Sequence, residues 1–337
     1  MPQHPGEYIS RKHQLMMDFA MSSPTILILV REPTADSEAL ALALARQGAH
    51  ALIRRPEALT VAIDGRSLTI MDGNGAPLAV DAALGWTSLA ARDAGLWLLR
   101  ALEQAGVPVM NRAAVLDGGQ LKPVGSLVLA AHGLPHARTL LAGADADPDM
   151  LIATLGLPMV VKPCLGTKGG GVRLITDRTD LVTLLAAAAA SRLPLYLQEH
   201  VPNSGVDLRI QCVDYRPSYA FRRHAAPGAF VTNLHAGGRA ELVAPIPPAL
   251  AALAMAAARA FDAPIAGVDL IESPDRGPVI LEVNMTPGFF TAAVLAGDQR
   301  VVIEPAARAA ADAIARGLIR MAASRRRGAA LGHGTAA

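Results

Sequence analysis

The sequence predicts an α/β protein in two parts, a small parallel α/β domain followed by a larger mixed α/β (α+β) body. Three observations carry that prediction. Short β-branched apolar runs alternate with Ala- and Leu-rich helical stretches along most of the 337 residues. The first such run is followed by a helix, a glycine and a second apolar run, the order of a βαβ unit. Further on, a lysine, two acids and an asparagine interrupt otherwise apolar strands, which marks a second body that holds its polar groups for a purpose.

The elements follow in order. Ile26–Val30 reads as a buried strand after Pro24, and Ser37 is expected to cap a helix that runs to Gln47 and stops at Gly48. Ala49–Ile53 is the next strand, and Val61–Met71 alternates around Asp64-Gly65 like a hairpin. A helix over Arg92–Gln104 ends at Gly106, before the short strand Val107–Met110. Residues 24–115 therefore form the N-terminal α/β domain, and its Ile28–Pro33 stretch lacks the glycine fingerprint of a dinucleotide fold. The second body is expected over 116–323. Its central part, about 123–195, holds a helix at Val124–His132, strands at Met159–Lys162 and Val172–Thr176, and a helix at Asp180–Ala190. Its C-terminal part, about 196–323, holds strands at Leu195–Glu199, Leu208–Asp214, Ile265–Ile271 and Val279–Val283, with helices at Ala249–Phe261 and Pro305–Ala322. Residues 1–23 are expected to be a disordered extension and 324–337 a flexible basic tail.

Composition excludes several classes of function. Apolar residues at 52% and charged residues at 18% exclude a disordered chain. A net charge of +2 announces no polyanion surface, so no nucleic-acid partner is expected. The positive mean hydropathy owes much to alanine. The longest charge-free stretch, Leu242–Ala258, contains Pro245, Pro247 and Pro248 and falls short of the ~20 strongly apolar residues of a membrane span. Cys164 and Cys212 cannot build a disulfide framework, which points to a reducing cytoplasm.

Three constellations carry chemistry. Lys162 ends an apolar strand and precedes the loop Gly166-Thr167-Lys168-Gly169-Gly170-Gly171, whose backbone N–H groups can approach an anion closely. The loop alone is equally an ordinary hairpin turn; the strand lysine, which wants an anionic partner, favours the anion site. It is not a Walker A loop, because a strand follows it instead of a helix. Glu282 and Asn284 share one face of a strand, and Asp269 joins them if its strand is adjacent. Two carboxylates and an amide, with no Cys or His, suit a hard cation such as Mg²⁺. Arg209, Arg222 and Arg223, with Thr232, Asn233 and His235, offer guanidinium forks for carboxylate or phosphate.

Together with Gln198-Glu199-His200-Val201, Asp207-Leu208-Arg209, Thr232-Asn233-Leu234-His235-Ala236-Gly237-Gly238 and Glu282-Val283-Asn284-Met285-Thr286-Pro287-Gly288, these residues stand in the order found in the ATP-grasp ligases. The chain most resembles the RimK-like α-L-glutamate ligases over about 105–322. The resemblance implies an ATP-grasp fold behind a pre-ATP-grasp domain. It makes Lys122 and Lys162 the nucleotide-binding lysines, with Gly169, Gly170 and Gly171 as the lid. It makes Glu199, His200 and Val201 the hinge that reads adenine, and Asp207, Thr232 and Asn233 further nucleotide contacts. It makes Asp269, Glu282 and Asn284 the ligands of two Mg²⁺ ions, with Mn²⁺ as an alternative metal. Arg222 would hold the acyl-phosphate, and Arg209, Arg222 and Arg223 the substrate carboxylate.

The implied function is an ATP-dependent ligase that forms a carbon–nitrogen bond. Its expected partners are a small-molecule carboxylate and an amino acid, with no membrane partner and room for a homo-oligomer. Val231 and Gly85-Trp86-Thr87 stand where relatives offer more basic residues, which favours glutamate addition to a small anionic acceptor, such as a coenzyme tail, over a protein C-terminus. A non-catalytic nucleotide-binding regulator is the competing class, disfavoured because Lys162, Asp269, Glu282 and Asn284 are all present.

Overall fold

The computed structural model describes residues 23–87, 89–166, 170–192, 194–228, 232, 234, 237–289 and 298–332. The expected N-terminal extension lies almost wholly outside them, as do the lid glycine Gly169 and Asn233. Two compact units emerge. Residues up to Met110, together with those from Ala311 onward, form one, and Asn111–Ala310 form the other.

The first unit is built on β1 (Thr25–Leu29), α1 (Ala35–Arg46), β2 (His50–Arg54), β3 (Thr60–Asp64), β4 (Ser67–Met71), β5 (Ala82–Gly85), α2 (Arg92–Gln104) and β6 (Val109–Met110). Its sheet runs β2-β1-β5-β6, all parallel, and β3–β4 is a separate hairpin. A central parallel strand is covered on both faces, and accordingly Ile26, Leu27, Ile28 and Leu29 are all fully buried. Burial of this kind stabilises by about 1.5–3 kcal/mol per side chain. Helix α1 starts earlier than the sequence reading has it. Thr34 is the N-cap, and Ser37 returns the bond from the third helical position, a reciprocal capping box.

The second unit continues with α3 (Ala113–Gly119), α4 (Lys122–Ala131), β7 (Thr139–Ala142), α5 (Pro148–Leu155), β8 (Met159–Lys162), β9 (Arg173–Ile175), α6 (Arg178–Ser191) and β10 (Leu195–Glu199). Strands β7-β10-β8-β9 make an antiparallel sheet whose core includes Leu151, Met159, Ile175, Leu181 and Leu197. Then come β11 (Val206–Val213), β12 (Arg216–His224), β13 (Arg239–Val243), α7 (Pro248–Ala260), β14 (Ile265–Ser273), β15 (Gly277–Asn284) and α8 (Asp298–Gly332), whose residues from Ala311 onward belong to the first unit. Strands β13-β12-β11-β14-β15 form a second antiparallel sheet, and α7 packs against β11, β12 and β14.

Several elements are absent from the sequence reading. Strand β7 is only four residues long, and β12 carries Arg216, Arg222, Arg223 and His224, a composition that hides a strand. Helix α5 did carry a start signal: Asp147 accepts from the Asp149 N–H, and Pro148 stands at the first position. The expected flexible tail is a correction. Helix α8 runs on to Gly332, and within the first unit Arg326 forks onto Asp81 at 2.7 Å through both nitrogens. Arg325 donates to the carbonyls of Val80 and Gly106. Two of the run of three arginines therefore serve as an anchor here. Among the described residues no helix is long and apolar enough to cross a membrane.

Candidate functional site

Strand parity assembles the site. Asp207 on β11 pairs opposite Arg223 on β12, Arg209 opposite Asp269 on β14, Asp269 opposite Glu282 on β15, and Gly267 opposite Asn284. Side chains alternate along a strand, so all six charged or amide groups emerge on one face of the sheet. The opposite face carries Leu208, Ile210, Val268 and Leu270, fully buried.

The arginines have partners other than those the sequence suggests. Arg209 forks onto Asp269, Nε to Oδ1 and Nη2 to Oδ2, both at 2.6 Å. Arg223 forks onto Asp207 at 2.7 and 2.6 Å, and its Nη2 also lies 3.0 Å from Asp269 Oδ2. Thr232 donates its hydroxyl to Asp207 Oδ2 at 2.6 Å. The expected substrate clamps Arg209 and Arg223 are thus committed to carboxylates of the chain itself. Burial raises the Asp269 carboxyl, but the two guanidiniums outweigh it and hold it at about 2. Burial dominates at Asp207, which is raised despite Arg223. Arg222 pairs opposite Leu208 and so projects from the far face, where it lies 3.3 Å from Glu272. Parity separates Arg222, the residue expected to hold the acyl-phosphate, from these acids.

Asn284 closes the acidic end. Its Nδ2 lies 3.4 Å from Asp269 Oδ2 and 3.3 Å from Glu282 Oε1, so two carboxylates and an amide converge on one point. Among the described residues no three His, Cys, Asp or Glu side chains make a metal cluster by themselves. The set fits Mg²⁺ nonetheless, because that ion takes one or two protein carboxylates and leaves positions for water and phosphate. Glu282 has no cation hydrogen-bonded to it among the described residues, so its carboxylate is open to a metal.

The lysines come from elsewhere in the same unit, one from the other sheet and one from a helix start. Lys162 ends β8 and donates from Nζ to Gln198 Oε1 at 2.6 Å. Burial lowers its pKa, opposed by Glu282, Asp269 and Asp207, and reinforced by Lys122. Lys122 opens α4, donates from Nζ to the Gly166 carbonyl at 2.8 Å and takes the Cys164 carbonyl on its backbone N–H at 2.9 Å. It therefore ties down the start of the glycine loop. Gly170 lies in the turn that ends the loop. Gly171 has φ +75°, and a Cβ there would meet Pro163 Cγ at 2.7 Å, so both conformation and space require glycine.

At the hinge, Glu199 is buried with a full set of donors. Its carboxylate accepts from the Arg138 backbone N–H, Arg138 Nε and Arg276 Nη2, each at 2.7 Å. Burial raises this carboxyl and the three donors together lower it below its ordinary value. Its side chain is therefore fixed to Arg138 and Arg276, and its backbone N–H donates to the Arg138 carbonyl at 2.9 Å. His200 is half-buried, and Val201 packs with Ala137, Ile271 and Val279. Sequence reasoning missed Arg138, Arg276 and the buried polar set around Gln198. The signal for the last was visible as a glutamine and a tyrosine inside an apolar strand.

A sequence profile describing the RimK-like ATP-grasp domain matches residues 122–297. A curated protein of Aeromonas salmonicida (strain A449) named "Probable alpha-L-glutamate ligase" is 34% identical over 196 residues, which cover 58% of this chain and 65% of that one. The chain thus matches just under two thirds of that relative's length. Among solved structures, a RimK domain ATP-grasp protein from Sphaerobacter thermophilus DSM 20745 aligns over 87% of this chain and 99% of its own, at TM-score 0.63 and 20% identity. The ATP-grasp ligase PsnB, complexed with minimal precursor, Mg and ADP, aligns over 88% and 98%, at TM-score 0.63 and 18% identity. Likeness at these identities establishes the fold.

Proposed function

Because the chain belongs to the RimK-like ATP-grasp family, we propose that it is an ATP- and Mg²⁺-dependent carboxylate–amine ligase that adds L-glutamate to a small anionic acceptor. The observation that carries this reading is the convergence of Asp269, Glu282 and Asn284 within 3.4 Å, across from two lysines. A polyanion that carries a hard cation matches that pairing of charges. The relative named a glutamate ligase supports the amino acid.

In this reading Lys122 and Lys162 hold the phosphates, Glu282 and Asn284 with Asp269 hold two Mg²⁺ ions, and the hinge backbone at Glu199–Val201 meets the base. Mg²⁺ supplies charge neutralisation across the transferring phosphate. An oxygen of the acceptor carboxylate takes the γ-phosphoryl group of ATP and ADP leaves. The glutamate nitrogen then attacks the acyl carbon, phosphate leaves, and the nitrogen gives up its proton. The chain contributes position and fixed charge, and no covalent nucleophile is called for. Arg209 and Arg223 serve by aiming Asp269 and Asp207. The free thiols at Cys164 and Cys212 accord with a cytoplasmic setting.

The test is mass spectrometry of a metabolite extract incubated with the protein, ATP, Mg²⁺ and isotope-labelled glutamate. Label is expected in a small molecule heavier by one glutamyl residue. Label only in a protein C-terminus overturns the small acceptor, and label nowhere overturns glutamate.

A further inference from the structure

Gln198 is fully buried, and its two ends face different groups. The amide oxygen accepts from Lys162 Nζ at 2.6 Å. The amide nitrogen donates to Thr139 Oγ1 at 3.1 Å and to Tyr196 Oη at 3.2 Å. Register places these groups together, since Thr139 pairs opposite Gln198 and Tyr196 opposite Lys162.

The hydrogen-bond chain continues away from the lysine, and its far end fixes its direction. His136 Nδ1 lies 2.8 Å from the Ile280 carbonyl, which can only accept, so Nδ1 carries the proton. Burial lowers the His136 pKa, and the neutral ring then accepts at Nε2. Thr139 spends its hydroxyl proton on the Ala137 carbonyl at 2.8 Å, so the hydrogen bond that Nε2 accepts is donated by Ser126 Oγ at 2.9 Å. Ser126 in turn accepts from Tyr196 Oη at 2.8 Å, and Tyr196 accepts from the Gln198 amide. Each step leaves one orientation for the next. A flipped Gln198 would aim its amide nitrogen at an ammonium and strip Tyr196 of its donor.

We infer that Gln198 is a positioning residue of the nucleotide site. Its amide oxygen, locked by the chain that ends at Ile280, holds the Lys162 ammonium towards the face that carries Glu282, Asp269 and Asp207. The role rests on the proposed nucleotide site and goes beyond it, because Gln198 acts through Lys162.

The test is a double-mutant cycle on the full chain, read as affinity for a non-hydrolysable ATP analogue with Mg²⁺. Gln198→Leu is expected to weaken binding roughly tenfold when Lys162 is present, and by less than about twofold in Lys162→Ala. Gln198→Glu keeps an acceptor for Lys162 but lacks both amide donors; it is expected to bind within about threefold of the wild type. Should Gln198→Leu fail to fold, Gln198→Met takes its place in the cycle. Equal losses in both lysine backgrounds, or a Glu variant no better than Leu, overturn the positioning role. If Lys162→Ala alone leaves affinity unchanged, the nucleotide-site reading falls and the positioning role falls with it.

Discussion

Asp207 and Asp269 share one guanidinium: Arg223 forks onto the first and reaches the second with the same Nη2, at 2.6 and 3.0 Å. Arg209 completes the neutralisation of Asp269 from the next strand. Two acids and two arginines therefore form an ionic block beside Glu282 and Asn284 on the same face of the sheet. The block orients the carboxylate edge that those residues extend.

Removal of Arg223 strands buried negative charge. Arg223→Ala is expected to destabilise the protein by about 3–5 kcal/mol, measured from urea unfolding, and to lower nucleotide binding with it. Arg223→Lys keeps the charge but loses the fork, and an intermediate loss is expected. A neutral Arg223→Ala would show that the block contributes nothing.

Glu282 lies outside that block, so its role separates from stability. Glu282→Gln keeps the shape and removes one negative charge. Turnover is expected to fall on the order of 100-fold and the Mg²⁺ requirement to rise about tenfold or more, with the melting temperature of the unliganded protein little changed. Wild-type activity at limiting Mg²⁺ would remove Glu282 from the site.

The half-buried His136 sets an acid limit. Burial comes first in lowering its pKa below 6.5, reinforced by Lys162 and opposed by the Ile280 carbonyl and Glu199. The unfolded chain then binds the proton more tightly, so this stability is fully present above pH 6.5 and is lost as pH falls through the window below it. His136→Gln should flatten the decline in urea midpoint as pH falls below 6.5. An unchanged slope would mean that the ring is already charged in the folded state.

The C-terminal arginines predict a truncation effect. Asp81 is buried, accepts from the Thr25 N–H at 2.8 Å and receives the Arg326 fork. Burial raises this carboxyl, while Arg326 and the Thr25 N–H outweigh it and lower it. Arg326→Ala, or truncation after Ala323, is expected to cost about 2–4 kcal/mol. Equal unfolding midpoints for the truncated and full chains would restore the reading of a free tail.

Much of this was legible in the sequence where one residue type decides the matter. Apolar runs such as Ile26–Val30 and Ile265–Ile271 announce strands, and Asp269, Glu282 and Asn284 announce a site because acids are costly inside them. What sequence could not carry is pairing. Arg209, Arg222 and Arg223 look alike as candidate clamps, and only register tells which two face acids and which one faces away. The three arginines at 325–327 read as a solvated end until Asp81, 245 residues before Arg326, supplies the partner. Gln198 was visible as a motif residue, yet its partner Lys162 is set by a strand pairing that no local pattern encodes.

The most direct test of the central claim is ADP release by the purified chain with ATP and Mg²⁺, as acceptor carboxylates and amino acids are supplied separately and together. The account predicts background release with either alone and a rise of ~100-fold or more when a cognate carboxylate and amine are both present, since phosphoryl transfer and amide formation are one reaction path. Release that no such pair raises above background, or that is as fast with no amine as with one, would contradict it.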